Sequence, residues 1–166
     1  MATTLPHQRL AILVDTANMY HSAKSLYRGR LDYRRLMDFI SQERHLVRAI
    51  AYVVRSEDVD ITPFLDALEA VGFETRVKML KRRNDGSPRG DWDVGIALDA
   101  LELSQRVDVI SLVSGDGDFV ELVEHLRPRG VRVEVFAFDD SVSADLRSKA
   151  HAYFPLDRSL ILDSRG

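Results

Sequence analysis

Short apolar runs alternating with helix-period segments predict a single three-layer α/β domain over residues 1–166, with a mainly parallel sheet and helices on both faces. Two further observations support this class. The runs Leu10 to Val14 and Val107 to Val113 are almost continuously apolar, as strands buried on both faces are. With 166 residues, 45% of them hydrophobic, the chain has the size and apolar content of one packed core.

Five strands are predicted: Leu10 to Val14, Val47 to Val54, Glu74 to Leu80, Val107 to Val113 and Val131 to Phe138. Phe73, Thr75, Val77 and Met79 alternate with Glu74, Arg76 and Lys78, and Val131, Val133 and Val135 alternate with Arg132 and Glu134. Such alternation implies one partly wet face, so both strands are expected at the sheet edges. Helices are expected at Ala17 to Tyr27, Tyr33 to Gln42 behind an Asp32 N-cap, Pro63 to Val71 ending at Gly72, Trp92 to Ser104, Phe119 to Arg127 ending near Gly130, and Val142 to Ala150. The stretch from Lys81 to Gly90 holds Gly86, Pro88 and Gly90 and reads as a mobile basic loop.

Composition removes several chemistries. The chain has no cysteine, hence no disulfide or thiolate nucleophile, and its five histidines lack the close pairing of a zinc site. Any metal should be a hard ion held by oxygen. Met1 to Arg9 contains no apolar run, so neither secretion nor membrane insertion is expected and the cytoplasm is the expected compartment. The net charge of -3 is unevenly placed: Arg76 to Gly90 carries six basic residues against Asp85, which makes that segment +5 and the remainder -8.

Ligands of open α/β sheets bind outside the carboxyl ends of strands, where strand order reverses. Two strands here run into acid, the first into Asp15-Thr16-Ala17-Asn18 and the fourth into Ser114-Gly115-Asp116-Gly117-Asp118-Phe119. If those strands are neighbours, Asp15 and Asp116 face each other, and carboxylates so close imply a cation or a raised pKa. Gly115 and Gly117 would turn the chain tightly and leave room for a phosphate. Each acid also has an ordinary structural use: Asp118 with Glu121 fits a capping box, and Asp15 fits a turn after a strand. Their joint occurrence is what sets them apart. Asp93 adds a third carboxylate at the start of an apolar helix face shared with Ile96, Ala97 and Ala100, where it needs a partner. Asp99 falls on the other side of that helix, with Asp91, and is expected to be solvated or to support the site from behind.

Together, Asp15-x-x-Asn18, the helix opened by Asp93 and continuing to Asp99, and Ser114-Gly115-Asp116-Gly117-Asp118-Phe119 resemble the NYN domain in its LabA-like bacterial branch, within the PIN-like nucleases. The resemblance covers Arg9 to Leu156. It implies a Rossmann-like sheet in the order 3-2-1-4-5 and a Mg²⁺- or Mn²⁺-dependent ribonuclease. By position, Asp15, Asp93, Asp116 and Asp118 would be the catalytic, metal-binding acids, with Asn18 and Ser114 orienting the site. One departure is the Ala150-His151-Ala152-Tyr153 stretch, where many relatives look to have an Ala-Asp pair before an aromatic.

The chemistry expected is metal-assisted hydrolysis of an RNA phosphodiester, with Asp15 and Asp116 both open as general base and the number of ions open as well. Lys81, Arg82 and Arg83, within the basic segment, would bind the RNA backbone, and Tyr20 or Trp92 would stack on a base or simply pack. The rival reading is a catalytically silent NYN-type module that binds RNA or protein around a structural ion. A second copy or another protein as partner stays open. A dinucleotide-binding domain would want Gly-x-Gly-x-x-Gly after the first strand, an aspartyl phosphotransferase an acid at Ala17, and a receiver domain paired acids after the first strand.

Overall fold

The computed structural model describes residues 5–82, 84–85, 88–89 and 91–162. A six-stranded sheet runs β3 (Glu74–Met79), β2 (His45–Arg55), β1 (Arg9–Asp15), β6 (Val109–Val113), β7 (Arg132–Phe138), β8 (Ala152–Leu156), and its five strand pairings are parallel. Counted along the main sheet this is 3-2-1-4-5-6, the expected order extended by one strand. The reversal falls between β1 and β6, whose register pairs Val14 with Val113.

Helices α1 (Thr16–Tyr27), α2 (Tyr33–Ser41) and α3 (Thr62–Val71) cover one face through Met19, Leu36, Ile40 and Leu68. Helices α4 (Asp93–Leu103), α5 (Val120–Leu126) and α6 (Ala144–Lys149) cover the other through Ile96, Ala100, Val123 and Leu146. Each of these side chains larger than alanine contributes about 1.5–3 kcal/mol when removed from water, which is why short helices hold here. Local chemistry sets their ends. The Asp32 side chain accepts from the amides of Arg34 and Arg35 at the start of α2, and Gly72, at φ 119°, ends α3 in the left-handed region. The α6 helix begins later than expected, because Ser143 caps it by accepting from the Leu146 amide.

Three expectations need correction. The β7 strand is interior, between β6 and β8; its alternation conceals Glu134, which is wholly buried because Arg44 and Arg132 neutralise it. The edge is instead β8, unforeseen because Ala-Tyr-Phe-Pro-Leu is short and carries Pro155, a residue that sheets tolerate at an edge. The Lys81 to Gly90 stretch holds a two-residue antiparallel ribbon, β4 (Lys81–Arg82) paired with β5 (Pro88–Arg89). Its Arg83, Gly86 and Gly90 lie outside the described residues. None of the described helices is long and apolar enough to cross a membrane.

Candidate functional site

At the carboxyl end of β1, Asp15 terminates the strand and caps α1, its Oδ1 accepting from the Asn18 amide at 3.2 Å. Across the switch point, the Ser114 hydroxyl donates to Asp15 Oδ2 at 3.2 Å and accepts from the Asp116 amide at 3.2 Å. The Asn18 side chain closes the gap, its Oδ1 accepting from the Gly115 amide at 3.0 Å. Asn18 and wholly buried Ser114 thus tie the two strand ends together and fix the acids.

Asp93 arrives from the opposite side as the first residue of α4. Ligand oxygens of Asp15, Asp93 and Asp116 lie within 4.8 Å of one another. Asp118, the fourth expected acid, stands outside this trio. Asp116, not Asp118, is the capping residue: its Oδ1 accepts from the Asp118 amide at 2.9 Å at the head of a single 3₁₀ turn, Gly117–Phe119, which leads into α5. That geometry leaves Asp118 exposed on the turn.

The electrostatics follow from the crowding. Burial, then the charges of Asp116, Asp91, Asp15 and Asp118, push the Asp93 carboxyl up to about 7. Burial also raises Asp15, with the charges of Asp116 and Asp91 adding to it, against the lowering effect of the hydrogen bonds from Asn18 and Ser114. The sequence reading did not foresee Asp91 as a contributor, because it placed this residue on a helix face. Asp91 precedes α4, accepts from the Asp93 amide at 3.2 Å, and adds its charge to both Asp15 and Asp93. Its only sequence signal is the Asp-x-Asp spacing of an Asx turn.

Asp99, further along α4, is part of a hydrogen-bonded network rather than free in solvent. The Tyr52 hydroxyl donates to Asp99 at 2.8 Å, and Asp99 also pairs with Arg76. Tyr52 stands in register with Asp15 on the neighbouring strand. Trp92 is a peg: its indole N–H donates to the Val53 carbonyl at 3.0 Å, its ring lies 5.4 Å from that of Tyr52, and the Lys78 ammonium sits 4.2 Å from its centroid. A Cβ on Gly95 would approach the indole to 2.5 Å. The packing reading of Trp92 therefore holds. Lys78 donates to the Asp91 carbonyl at 2.9 Å, so two cations of the basic segment, Arg76 and Lys78, brace the start of α4. Tyr20 is half exposed beside His21 and Lys24.

Gly115 and Gly117 have a different reason from the one expected. Neither has a positive φ among the described glycines; a Cβ on Gly115 would lie 3.1 Å from Val142 Cα and 3.2 Å from the Ser141 carbonyl, and one on Gly117 would lie 2.9 Å from Ser143 Oγ. The loop is seated against residues 141–143, and the glycines permit that approach. Gly115→Ala should accordingly cost about 1–3 kcal/mol, because its neighbours are backbone and cannot swing aside. An unchanged thermal midpoint would refute this. His151 is also explained: its Nδ1 accepts from the Val133 amide at 3.0 Å, and burial first, then Arg127 and Arg132, keep its pKa low.

The NYN domain family model matches residues 9–157. The low amplitude and bright protein LabA of Synechococcus elongatus is 32% identical over 157 residues, which cover 90% of this chain and 84% of that one. An uncharacterized protein of Methanocaldococcus jannaschii is 24% identical, with 93% of this chain spanning 58% of its length. Among solved structures, a protein of unknown function from Vibrio parahaemolyticus superposes with a TM-score of 0.88 at 38% identity, covering 97% of this chain and 100% of that chain.

Proposed function

Because this chain belongs to the NYN domain family, a family of PIN-like nucleases, we propose that it is a metal-dependent ribonuclease whose centre is Asp15, Asp93 and Asp116. The observation that carries the reading is the convergence of three carboxylates from β1, α4 and the loop after β6 at the switch point of the sheet. The donor set fits a hard divalent ion: it is oxygen only, and one carboxylate oxygen from each of three acids lies within 4.8 Å of the others. Asp15, Asp93 and Asp116 would hold Mg²⁺ or Mn²⁺, with Asp118 at the rim. Such an ion supplies polarisation of a phosphate oxygen and activation of a water for in-line attack.

The chain's own residues do the rest. Ser114 and Asn18 hold the Asp15 carboxylate and the backbone of Gly115 and Asp116 in register, so that less ordering is left for the moment of binding. Asp93, with its carboxyl pushed up to about 7, would have to give up its proton to hold a cation near neutral pH. Metal affinity should therefore weaken as pH falls below about 7. Single-stranded RNA incubated with the protein should be cut in Mn²⁺ and left intact in chelator. Equal cutting in chelator would remove the metal, and intact RNA in both would favour the silent module.

Lys81 and Arg82 on the ribbon, with Arg83 beside them in sequence, are proposed to track the RNA backbone, since Arg76 and Lys78 are already engaged. Replacing Lys81, Arg82 and Arg83 by alanine should weaken binding and flatten its salt dependence, by about 0.7 in log–log slope for each phosphate of single-stranded RNA that is no longer neutralised. An unchanged slope would return the ribbon to ordinary solvated surface.

A further inference from the structure

An apolar groove runs between α4 and α5, starting at the carboxylate centre. It is lined by Val94, Ala97, Leu98, Leu101, Phe119 and Leu122; Phe119 and Leu122 are buried, whereas Val94 and Leu98 stand 71% and 62% exposed. Asp93 and Asp118 line its near end, so groove and centre share a wall. We propose that this groove is a base-binding slot that takes the nucleobase beside the scissile phosphate and prefers guanine to uracil. The proposal rests on the ribonuclease reading and names the part of the substrate that the same site selects.

Size and charge choose the occupant. The groove volume is about 330 Å³, at the small end of the roughly 300–1,000 Å³ typical of small-ligand sites, which suits a base and its sugar better than a helix. None of the described residues lining it is a lysine or arginine, so it offers nothing to a phosphate, while its aliphatic walls suit the faces of a neutral heterocycle.

The polar groups at the rim set the preference. Asp118 and Glu121 offer carboxylate acceptors. The Nδ1–H of His125 donates to the Glu121 carbonyl at 2.8 Å, which holds the ring in place. A rim rich in acceptors rewards a base edge rich in donors. Guanine presents N1–H and N2–H side by side, matching the two oxygens of one carboxylate. Uracil presents one N3–H between two carbonyls, which the carboxylates repel.

The test needs no turnover. The full chain in Mg²⁺ is titrated with guanosine or uridine 5′-monophosphate while the methyl resonances of Val94, Leu98 and Leu101 are followed; the two ligands carry the same phosphate, so their difference reads the base. Guanosine monophosphate should shift these methyls and bind about ten-fold tighter or more, the discrimination one bidentate base contact supplies. Glu121→Gln should collapse that ratio, and Leu98→Trp, at an exposed position, should fill the slot and abolish the shifts. Equal binding of the two nucleotides, or no methyl shifts with either, would overturn the slot. So would a Leu98→Trp effect on sedimentation with none on nucleotide binding, since that would mark a self-association face. Cleavage of RNA without these shifts would leave the ribonuclease reading standing and sink only this inference; shifts without cleavage would overturn both the ribonuclease reading and the slot's place beside a scissile phosphate, leaving only a base-binding groove.

Discussion

Asp93→Asn should lower RNA cleavage by more than about a hundred-fold, beyond what loss of a supporting residue around a metal usually costs, while leaving the metal-free protein as stable as the parent or more so. Two effects oppose each other in the stability. Asp93 opens α4, where exposed amides reward a negative charge with about 0.3–1 kcal/mol. Against that stand burial and the charges of Asp116, Asp91, Asp15 and Asp118, which push the carboxyl up to about 7. For a partly exposed carboxyl, solvent screening reduces that penalty to about 1–2 kcal/mol at alkaline pH. The penalty is the larger, so the amide should be tolerated.

The sign with pH follows by linkage. Asp93 binds its proton more tightly folded than unfolded, so its contribution favours the folded state below about pH 4 and is lost as pH rises through about 7. Without metal, the parent's thermal midpoint should therefore decline across that window, and Asp93→Asn should flatten the decline. Metal at a hundred times its dissociation constant should return about 2.7 kcal/mol to the parent and clearly less to the variant. Should the variant melt lower than the parent at pH 8 and respond to Mn²⁺ equally, the three carboxylates do not form a shared site.

The fold was legible where one face of an element speaks for itself. Leu10 to Val14 could only be a central strand, and Asp32 and Gly72 mark helix ends by their own chemistry. The convergence of Asp15, Asp93 and Asp116 was legible because two strand ends and a helix start each displayed an acid, a joint occurrence that the separate local uses did not account for. What escaped depended on partners distant in sequence. Gly115 needs Val142, Trp92 needs Val53 and Gly95, and Asp99 needs Tyr52 and Arg76; none of these pairings leaves a periodic trace. Asp118 was grouped with the site by the family resemblance; in the fold it is exposed on the turn capped by Asp116 and adds its charge to Asp93 from outside the trio.

Glu134 is the sharpest case of such a distant partner, and it carries the largest expected effect on stability. Read locally, Arg132 and Glu134 between valines describe a wet edge. In the fold Glu134 is 0% exposed, and its oxygens accept from Arg44 at 2.9 Å, Arg132 at 3.1 Å and Ser111 at 3.4 Å. Arg44 is equally committed: it donates to the Ile40 carbonyl at 2.5 Å, and its Nε is buried without a partner among the described residues. Taking both charges out of water is costly, and their attraction roughly repays that cost, so the pair contributes little net stability over an apolar equivalent. Removing one member is different, because the other stays buried. Arg44→Ala should therefore lose about 3–5 kcal/mol, on the order of 10 °C in the midpoint for a chain of this size. Arg44→Met combined with Glu134→Leu should recover most of that loss, giving a coupling energy well above the few tenths expected of independent sites. Because Arg44 precedes β2, at the end of the sheet opposite the carboxylates, RNA cleavage by the double variant at saturating substrate should match the parent. A double variant no more stable than Arg44→Ala would mean that the ion pair itself, and not the avoidance of an orphaned charge, holds β7 in the interior of the sheet.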